Sequence, residues 1–376
     1  MKLALVHDYL REYGGAERVL EVIHELWPEA PLFTAFVDWS AMEEFASRFR
    51  NWDIRTSWVD RNWFVKRYHS PLRFLTPLVW ESFNLYDYDI VVSSSGWYIS
   101  RGVVTRPETL HISYIHHPPR NLYGYPTGTD QKPWVKAYAS IINPFLRVYD
   151  YSTAQRVDVL VANSETTRER INKFYRRDAT VIYPPVEIAQ TDISQKRKEN
   201  YFLSVGRLNY AKRIDLVIAA CNKLKVPLKI VGSGKEEENL RALAGPTIEF
   251  VGGVSDEQLA LLYRGAKAVI FSALEEDFGI VPVEAMQAGT PVIALRQGGV
   301  TETVLDGKTG VFFDEPTVEA LSTAVTQFSK MKFSTDEIIK RGESFSKFVF
   351  KQKMVAFVKK ELIRHQKQLA SPKVFK

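Results

Sequence analysis

The sequence predicts an α/β protein with two domains, each a doubly wound parallel sheet of the Rossmann type. Three observations lead to this prediction. The chain has 376 residues, which is long for a single hydrophobic core. Short apolar runs alternate with helical patterns along the whole chain, as expected for parallel sheets covered on both faces. A segment without hydrophobic periodicity divides this alternation into two sets.

The apolar runs give the predicted strands in order. In the first half they cover residues 3–9, 31–36, 54–59, 89–95, 110–116, 157–163 and 180–183. In the second half they cover residues 201–206, 227–232, 247–252, 267–272, 291–295 and 310–313. Residues 16–27, 255–264 and 317–328 have the spacing of amphipathic helices. The order of the elements therefore predicts a crossover helix between most neighbouring strands.

The domain boundary falls in "YPPVEIAQTDISQKRKEN", which begins at Tyr183 with a double proline and ends in charged residues. We predict a first domain over 1–185, a linker over 186–200 and a second domain over 201–345. Residues 346–376 form a basic tail with apolar residues at helical spacing.

Composition excludes several classes of protein. The net charge is +6, but the tail carries nine Lys and Arg against one acid, so the rest of the chain is slightly acidic. This distribution argues against a nucleic-acid-binding domain. A single cysteine, Cys221, permits no internal disulfide. No apolar run has the length of a signal peptide core or a membrane span, so we expect a soluble, cytoplasmic protein.

Ligands of open parallel sheets bind beyond the carboxyl ends of the strands, so residues at those ends are the candidates. Gly14 and Gly15 directly precede a helical pattern, where backbone N–H groups can approach an anion or a sugar. The alternative is a flexible turn without a ligand. The chain contains neither a dinucleotide fingerprint nor a phosphate loop, since "VGSGKEEE" supplies only Gly232 and Gly234.

Two adjacent histidines, His116 and His117, end a predicted strand before two prolines. Because adjacent strand residues point to opposite faces, they cannot easily share a metal, even with His111 nearby. We expect one histidine to face the ligand and the other to pack against the prolines; the alternative is that both only cap a loop. Asp87 and Asp89 have metal-chelating spacing but precede a strand, at the end of the sheet away from the site.

Charged residues also follow strands of the second half. Arg207 and Lys212 flank a short turn before a helix, where two cations can neutralise a diphosphate leaving group. The alternative is a pair of solvated surface cations. Glu276 and Glu284 lie eight positions apart. We predict a short helix over 283–288 with Pro282 at its first position and Gly289 just past its end.

A first-turn position would let Glu284 complement the helix dipole, but it would leave Glu276, in the preceding loop, unexplained. Two carboxylates that share no helix face can grip different parts of one ligand, such as the hydroxyls of a ribose and a hexose. The N–H groups around Gly279 can meet phosphate or sugar oxygens.

These residues resemble a known family. The segments "GGAERVL", "GRLNYAKRIDLVI", "FVGGVSDEQLALLYRGAKAVIFSA", "EDFGIVPVEAMQAGTPVIAL" and "GGVTETVLDGKTGVFF" are similar, in order and over nearly the whole chain, to retaining glycosyltransferases of the GT-B fold, group 1 (family 4). "YIHHPPRNLYGY" resembles mannosyltransferases of bacterial surface polysaccharide assembly. The resemblance implies two domains facing a cleft, a basic C-terminal helix returning to the first domain, and GDP-mannose as the donor.

The resemblance also implies a role for each candidate residue. Glu276 would bind hydroxyls of the donor sugar, Glu284 the ribose, and Arg207 with Lys212 the diphosphate. Backbone groups of the loop at the helix start and of the first-domain turn would contact the donor: Phe278, Gly279, Ile280 and Val281 in the former, Gly14 and Gly15 in the latter. His116 would lie near the sugar, and His117 with Arg120 on the acceptor side. One departure from the family is Arg213, where glycine is common.

The resemblance implies a metal-independent transfer of a hexose to a glycan or a lipid-linked oligosaccharide. Residues 54–80 mix basic and aromatic residues, which suits a membrane interface at the inner face of the membrane; the alternative is an amphipathic helix pair whose aromatics are core. Three other functions stay open: transfer from a UDP-sugar, epimerisation or hydrolysis of a nucleotide sugar, and non-enzymatic binding of a nucleotide sugar. We expect no nucleic-acid partner, and the sequence does not indicate an oligomeric state.

Overall fold

The computed structural model describes residues 1–125, 133–189 and 199–370. These residues form two compact units. The first contains residues 1–124, 133–185 and 348–370, and the second contains residue 125, residues 186–189 and residues 199–347. Most of the predicted linker, residues 190–198, lies outside the described residues, as does the end of the tail from residue 371.

The first unit has a parallel sheet whose described strands are in the order β3-β2-β1-β4-β5-β6-β7. The strands are β1 Leu3–His7, β2 Leu32–Thr34, β3 Ile54–Thr56, β4 Ile90–Ser95, β5 Leu110–Ile115, β6 Val159–Ala162 and β7 Thr180–Val181. The helices are α1 Gly15–Leu26, α2 Trp58–Arg61, α3 Trp63–Arg67, α4 Thr76–Trp80, α5 Pro133–Arg156 and α6 Glu165–Tyr175. The strand order reverses between β1 and β4, which places a switch point at the carboxyl end of β1.

The second unit has a parallel sheet whose described strands are in the order β10-β9-β8-β11-β12-β13. The strands are β8 Phe202–Val205, β9 Leu228–Val231, β10 Ile248–Gly252, β11 Ala268–Phe271, β12 Val292–Leu295 and β13 Gly310–Phe313. The helices are α7 Ile214–Leu224, α8 Glu237–Leu243, α9 Asp256–Gly265, α10 Ile280–Gln287, α11 Val300–Thr303, α12 Val318–Phe328 and α13 Thr335–Glu343. The switch point of this sheet lies between β8 and β11.

Both faces of the first sheet are buried, and β1 shows how. Leu3 and Leu5 belong to one core cluster, while Ala4 and Val6 belong to another on the opposite face. Successive strand residues point to opposite faces, so a strand covered on both sides must be apolar at every position. The burial of both faces explains why continuous apolar runs predict the strands. The two doubly wound parallel sheets confirm the predicted α/β class.

The tail forms a long helix, α14 Lys347–Ala370. Its apolar side chains Phe350, Met354, Phe357 and Val358 are buried in the core cluster of the first unit that contains α1. Lys351 adds an ion pair of 2.6 Å to Glu25 of that helix. The apolar stripe of α14 is therefore part of the core of the first unit.

Every predicted strand is present, but most are shorter than predicted; β3 is one whose end has a clear physical cause. We predicted a strand over 54–59, whereas β3 ends at Thr56. Ser57 ends it by capping α2, because its side chain accepts a hydrogen bond from the Val59 amide. The β-branched and aromatic residues that suggested a longer strand belong to this helix instead.

Candidate active site

Two loops at the switch point of the second sheet are bonded to each other. The loop after β8 contains a short 3-10 turn, Tyr210–Lys212, and the loop after β11 begins at Ser272. The Ser272 hydroxyl donates to the carbonyls of Lys212 and Arg213 at 2.8 and 3.0 Å. The Leu274 amide donates to the Ala211 carbonyl at 2.8 Å. These bonds fix the position of the cationic turn relative to the loop that carries Glu276.

Lys212 and Glu276 form an ion pair across these loops. Lys212 Nζ donates to Glu276 Oε2 at 2.6 Å, with the two side chains 21% and 25% exposed. A cation and a carboxylate thus share one partly open position at the carboxyl edge of the sheet. If this ion pair opens, a ligand that carries both an anionic group and hydroxyls can bind Lys212 through the anionic group and Glu276 through the hydroxyls.

Arg207 is exposed and lies in the same loop, directly after Gly206. Gly206 has φ of +150°, and its carbonyl lies close to the loop that follows β9. A Cβ added to Gly232 would lie 2.1 Å from the Gly206 carbonyl oxygen, and one added to Gly234 would lie 2.3 Å from that of Leu208. The glycines of "VGSGKEEE" therefore allow two loops to approach, rather than cradling a phosphate.

Arg213 occupies the position where the resembled family often has glycine. Its backbone is left-handed, with φ of +51°, a conformation that glycine adopts without steric cost. Arg213 is the N-cap residue of α7, and its guanidinium contacts Asp215 at 3.1 Å. Arg213 thus has the left-handed backbone conformation that glycine would adopt at this position, and its side chain forms an ion pair with Asp215.

The loop that carries Glu276 also packs against the glycine pair after β12. Gly299 donates its amide to the Glu276 carbonyl at 2.8 Å. Gly298 has φ of +70°, and a Cβ there would lie 2.2 Å from the same carbonyl oxygen. These glycines were not among the predicted site residues, although the pair "GGV" follows a predicted strand by two residues.

The helix that carries Glu284 differs from the prediction. We placed its start at residue 283 with Pro282 first and Glu284 in the first turn, but α10 spans Ile280–Gln287 and has no acid in its first turn. The helix begins directly after Gly279, which is its N-cap residue and has a φ of +85°. Pro282 is the third helical residue, where its missing N–H would have had no intrahelical partner anyway. Gly289 does follow the helix end, with φ of +72°.

Glu284 therefore lies in the second turn, where the helix dipole gives little stabilisation. Its carboxylate is buried, with 5% exposure. The Tyr263 hydroxyl, from α9, donates to Glu284 Oε2 at 2.7 Å. A buried carboxylate needs such a donor, and Tyr263 is a site residue that the sequence analysis missed, because a tyrosine on an amphipathic helix looks like core.

At the start of α10 the backbone amides are the candidates for ligand contact. Phe278 is buried and packs on Phe345, with ring centroids 5.6 Å apart. Gly279, Ile280 and Val281 begin the helix, and the first N–H groups of a helix have no intrahelical acceptor. These amides can meet anionic or hydroxyl oxygens.

The first unit carries the other candidates at the carboxyl ends of its strands. Gly14 is the N-cap residue of α1, and its amide donates to Glu17 Oε2 at 2.8 Å. Gly15 is the first helical residue. The Glu17 carboxylate thus fixes the turn after β1. Because Gly14 has no Cβ, no side chain covers the backbone at this position.

His116 and His117 have different surroundings. His116 directly follows β5, is 8% exposed, and its Nε2 lies 2.7 Å from the Ser94 hydroxyl. Burial lowers the pKa of His116 well below its usual range, so this imidazole is neutral. His117 is half-buried, and its Nδ1 donates to the Pro118 carbonyl at 3.1 Å. Arg120 begins a short 3-10 turn after the prolines.

His111 and the Asp87–Asp89 pair are remote from this edge of the sheet. His111 lies inside β5, bonded to the Ser93 hydroxyl at 2.9 Å, and burial lowers its pKa to about 3. Asp89 precedes β4 and accepts from the Lys2 amide at 2.7 Å. In the described part of the chain, no three His, Cys, Asp or Glu side chains lie together in a way that could hold a metal ion.

Comparison with known proteins gives three kinds of match. Residues 187–345 match the family model "Glycosyl transferases group 1". A D-inositol 3-phosphate glycosyltransferase from Mycobacterium sp. (strain KMS) is 29% identical over 195 residues, 46% of this chain and 44% of that protein. A glycogen synthase from Mycobacterium tuberculosis is 30% identical over 184 residues, 45% of this chain and 44% of that protein. The match spans less than half the length of these two curated relatives.

Solved structures match the fold over nearly the whole chain. The lipopolysaccharide outer core galactosyltransferase WaaB superposes with a TM-score of 0.66 at 19% identity, covering 96% of this chain and 100% of the other. Sucrose-phosphate synthase from Thermosynechococcus elongatus gives 0.72 at 16% identity, with 97% and 100% covered. Anabaena HepE in complex with UDP and glucose gives 0.68 at 17% identity, with 96% and 99% covered. These likenesses confirm the predicted GT-B fold class.

Proposed function

We propose that this protein is a retaining glycosyltransferase that moves a hexose, mannose from GDP-mannose, to a glycan or lipid-linked acceptor. One observation carries the proposal: Lys212 and Glu276 meet at 2.6 Å at the switch point of the second sheet. They lie, with Arg207 and the buried pair of Glu284 and Tyr263, inside the segment that matches the group 1 glycosyltransferase model. The match of residues 187–345 to that family supports the roles given below to residues of the second unit.

The donor would use each partner of the ion pair separately. Lys212, with Arg207, would bind the diphosphate, while Glu276 would accept hydrogen bonds from hydroxyls of the transferred sugar. Glu284, oriented by Tyr263, would bind the ribose hydroxyls. The amides of Phe278, Gly279, Ile280 and Val281 would contact sugar and phosphate oxygens. No metal ion has a role in this scheme, since two cationic side chains supply the charge.

Catalysis would then be mainly electrostatic. When the bond between the anomeric carbon and the diphosphate breaks, negative charge builds on the leaving oxygen, and Arg207 and Lys212 stabilise it. The acceptor hydroxyl would attack from the face the diphosphate leaves, passing its proton to a diphosphate oxygen, so the anomeric configuration is retained. Gly14, Gly15 and His116 of the first unit would contact the sugar, with His117 and Arg120 nearer the acceptor.

The donor base has a specific alternative. HepE binds UDP and glucose in its solved structure, and WaaB is described as a galactosyltransferase, so a UDP-sugar is the second candidate donor. The experiment is incubation with a panel of GDP-, UDP- and ADP-sugars plus glycan acceptors, followed by NMR of the product anomer. Transfer from GDP-mannose with retained configuration supports the proposal. Transfer only from a UDP-sugar would refute GDP-mannose as the donor.

The same panel separates the other functions. Release of free sugar without an acceptor, or isomerisation of the donor, would identify a hydrolase or an epimerase. If the protein binds a nucleotide sugar but transfers its sugar to none of the acceptors, it would be a non-enzymatic nucleotide-sugar-binding protein. Lys212→Ala is the matched variant: a transferase loses product formation, whereas an unrelated contaminating activity stays.

We also propose that the first unit binds the surface of a membrane that holds a lipid-linked acceptor. Its aromatic residues at 58–80 are mostly exposed, contrary to the core alternative. Trp80 is fully buried, whereas the exposed ones are Trp58, Trp63, Phe64, Tyr68 and Phe74, with Trp63 at 75%. Helix α5 adds a second exposed apolar row, in which Ile141, Phe145 and Val148 share one face. Within the described residues, no helix is long and apolar enough to cross a membrane.

These two exposed groups lie side by side. The Tyr138 hydroxyl of α5 donates to the Pro71 carbonyl, and Arg73 donates to the Asn143 side chain. Exposed cations, among them Arg61 and Arg67, accompany the aromatics. A basic rim around exposed aromatic and aliphatic side chains matches an anionic lipid surface.

Sedimentation with vesicles tests this surface. Wild-type protein should bind vesicles that contain anionic lipid and release them at high salt, and a Trp63→Ser, Phe145→Ser double variant should bind several-fold less. Leu243→Ser is the control, because it removes an exposed apolar side chain from the second unit. Equal binding by all three proteins would refute the assignment.

A further inference from the structure

Four polar side chains form a continuous buried chain at the carboxyl edge of the first sheet. Glu17 Oε1 lies 3.4 Å from His7 Nε2, His7 Nδ1 lies 3.0 Å from Ser94 Oγ, and Ser94 Oγ lies 2.7 Å from His116 Nε2. Each of the four residues is at most 8% exposed. The chain begins at the turn of Gly14, whose amide donates to the second oxygen of Glu17, and ends at His116.

Strand register explains how the chain is assembled. His7 is the last residue of β1 and pairs with Ser94 of β4, while His116 follows β5, the next strand of the sheet. Glu17 lies in the first turn of α1, which follows β1. The switch point of this sheet thus brings together residues of β1, α1 and β4 and the residue that follows β5.

The proton positions follow from the chemistry of the partners. An ionised carboxylate can only accept hydrogen bonds, so the His7 nitrogen that faces Glu17, Nε2, carries a proton. When His7 carries this one ring proton, its other nitrogen, Nδ1, is an acceptor, and the Ser94 hydroxyl donates to it. Ser94 has a single proton, so towards His116 its oxygen accepts, and Nε2 of His116 must be the protonated nitrogen.

We propose that Glu17, His7 and Ser94 are positioning residues that hold His116 in the Nε2–H tautomer, so that its Nδ1 accepts a hydrogen bond from a ligand hydroxyl. This inference rests on the proposed function, because the ligand would be the sugar of the donor or acceptor. Nδ1 of His116 makes no hydrogen bond to another residue that the structure describes. The neutral ring that burial imposes on His116 is consistent with a free lone pair.

The tautomer predicts which ligands the position accepts. A hydroxyl can donate to the Nδ1 lone pair, whereas a carboxylate or a carbonyl oxygen would face it with a second lone pair. A sugar that lacks the hydroxyl leaves the imidazole nitrogen without a partner, which weakens binding. The position therefore selects a neutral hexose with a hydroxyl there over a deoxy sugar or a uronic acid.

The adjacent residue supplies a matched control. Ser93 is buried like Ser94 and also bonds the Nε2 of a histidine, His111, at 2.9 Å. The two serines are neighbours on β4 and point to opposite faces. His111 lies within β5 and does not reach the carboxyl edge. Ser93→Ala thus removes the same kind of bond without touching His116.

The first experiment reads the tautomer directly. In protein with ¹⁵N-labelled histidine, two-dimensional NMR distinguishes protonated from unprotonated ring nitrogens, and His116→Gln identifies the signals of His116. The wild type should show protonated Nε2 and unprotonated Nδ1, Ser94→Ala should show a mixture of tautomers, and Ser94→Thr should restore the wild-type pattern. Glu17→Gln, which changes the chain from its other end, should also give a mixture. A wild-type ring protonated on Nδ1 would overturn the proposal.

The second experiment is a double-mutant cycle between protein and ligand. Transfer is measured with GDP-mannose and with each of its monodeoxy analogues. In the wild type and in Ser93→Ala, one analogue should lose about tenfold or more in kcat/KM, and in Ser94→Ala this penalty should shrink. A penalty that is the same in Ser94→Ala for every analogue would overturn the ligand part of the proposal.

The two readouts separate this proposal from the proposed function. If no nucleotide sugar is turned over, the proposed function fails and the ligand part fails with it, while the tautomer is still judged by its spectrum. If transfer occurs but the tautomer is reversed, the proposed function stands and the positioning chain is refuted.

Discussion

Replacing Glu276 by alanine separates its role in the ion pair from its role in transfer. Glu276 Oε2 accepts a hydrogen bond from Lys212 Nζ at 2.6 Å. The backbone bond that holds its loop, from the Gly299 amide to the Glu276 carbonyl, survives the substitution. The loop should therefore keep its conformation in Glu276→Ala.

The expected loss of stability is small. Both side chains of the pair are about a fifth to a quarter exposed, and ion pairs with this access to water contribute about 0.2–1 kcal/mol to the free energy of unfolding. Thermal unfolding of Glu276→Ala should thus remain cooperative, with a midpoint only a few degrees lower.

The expected effects on binding and on transfer have opposite signs. The substitution releases Lys212, which no longer has to leave a partner to bind a diphosphate, so affinity for GDP should be unchanged or up to about fivefold higher. Transfer loses a charged acceptor for sugar hydroxyls, a contact worth about 1.5–3 kcal/mol, so kcat/KM should fall about tenfold to a hundredfold. Calorimetry with GDP and a product assay with GDP-mannose measure the two quantities.

Glu275→Gln is the control, since it neutralises the neighbouring carboxylate of the same loop and should leave transfer within about twofold. Full activity in Glu276→Ala would refute the assignment of this carboxylate to the sugar. An unfolded variant would show instead that the residue is structural, and a loss of GDP affinity would mean that Lys212 depends on its partner to bind phosphate.

Three further predictions follow from the contacts. Tyr263→Phe removes the donor from the buried carboxylate of Glu284, so affinity for the nucleoside diphosphate should fall about tenfold by calorimetry; unchanged affinity would place the ribose elsewhere. Gly298→Ala puts a Cβ 2.2 Å from the Glu276 carbonyl at a φ of +70°, so the unfolding free energy should fall by more than about 1 kcal/mol in denaturant titrations, and wild-type stability would contradict the close approach. The pKa of His111 is about 3 in the folded protein against 6.5 when unfolded, so below pH 6.5 the unfolded state binds the extra proton, and stability should fall by up to about 1.4 kcal/mol per pH unit as the pH drops towards 3; a His111→Asn variant with the same pH slope would refute this.

The strands were predictable because of how they are buried. A strand covered on both faces must be apolar at each position, and Ala4, Leu5 and Val6 are all fully buried. The end of β3 was not predictable from apolarity, since it depends on the Ser57 cap of α2. A cap is a local hydrogen bond and leaves no periodicity in the sequence.

The charged residues of the site were predictable from strand ends, but their partners were not. Lys212 and Glu276 are 64 residues apart, and their contact depends on the parallel pairing of β8 with β11. Tyr263 reaches Glu284 only because α9 packs beside α10. Long-range pairings of this kind follow from the topology and not from spacing along the chain.

The start of α10 shows a different limit. Proline is common at the first helical position, and on that basis Pro282 suggested a helix from residue 283. The helix instead begins directly after Gly279, because the N-cap position has a φ of +85°, which glycine adopts without steric cost. Pro282 can then lie inside the first turn, because the first amides of a helix have no intrahelical acceptor. The same shift moves Glu284 out of the first turn and removes the helix-dipole explanation for it.

The central claim is that the loop after β8 and helix α10 of the second unit bind a nucleoside diphosphate through Lys212 and Glu284. Isothermal titration of GDP, UDP and ADP into wild-type protein, Lys212→Ala and Glu284→Gln tests it most directly. We predict that the wild type binds one of the three, GDP first, and that each variant binds it at least about tenfold more weakly while staying folded. No binding of any of the three to the wild type, or equal binding by the variants, would contradict the claim.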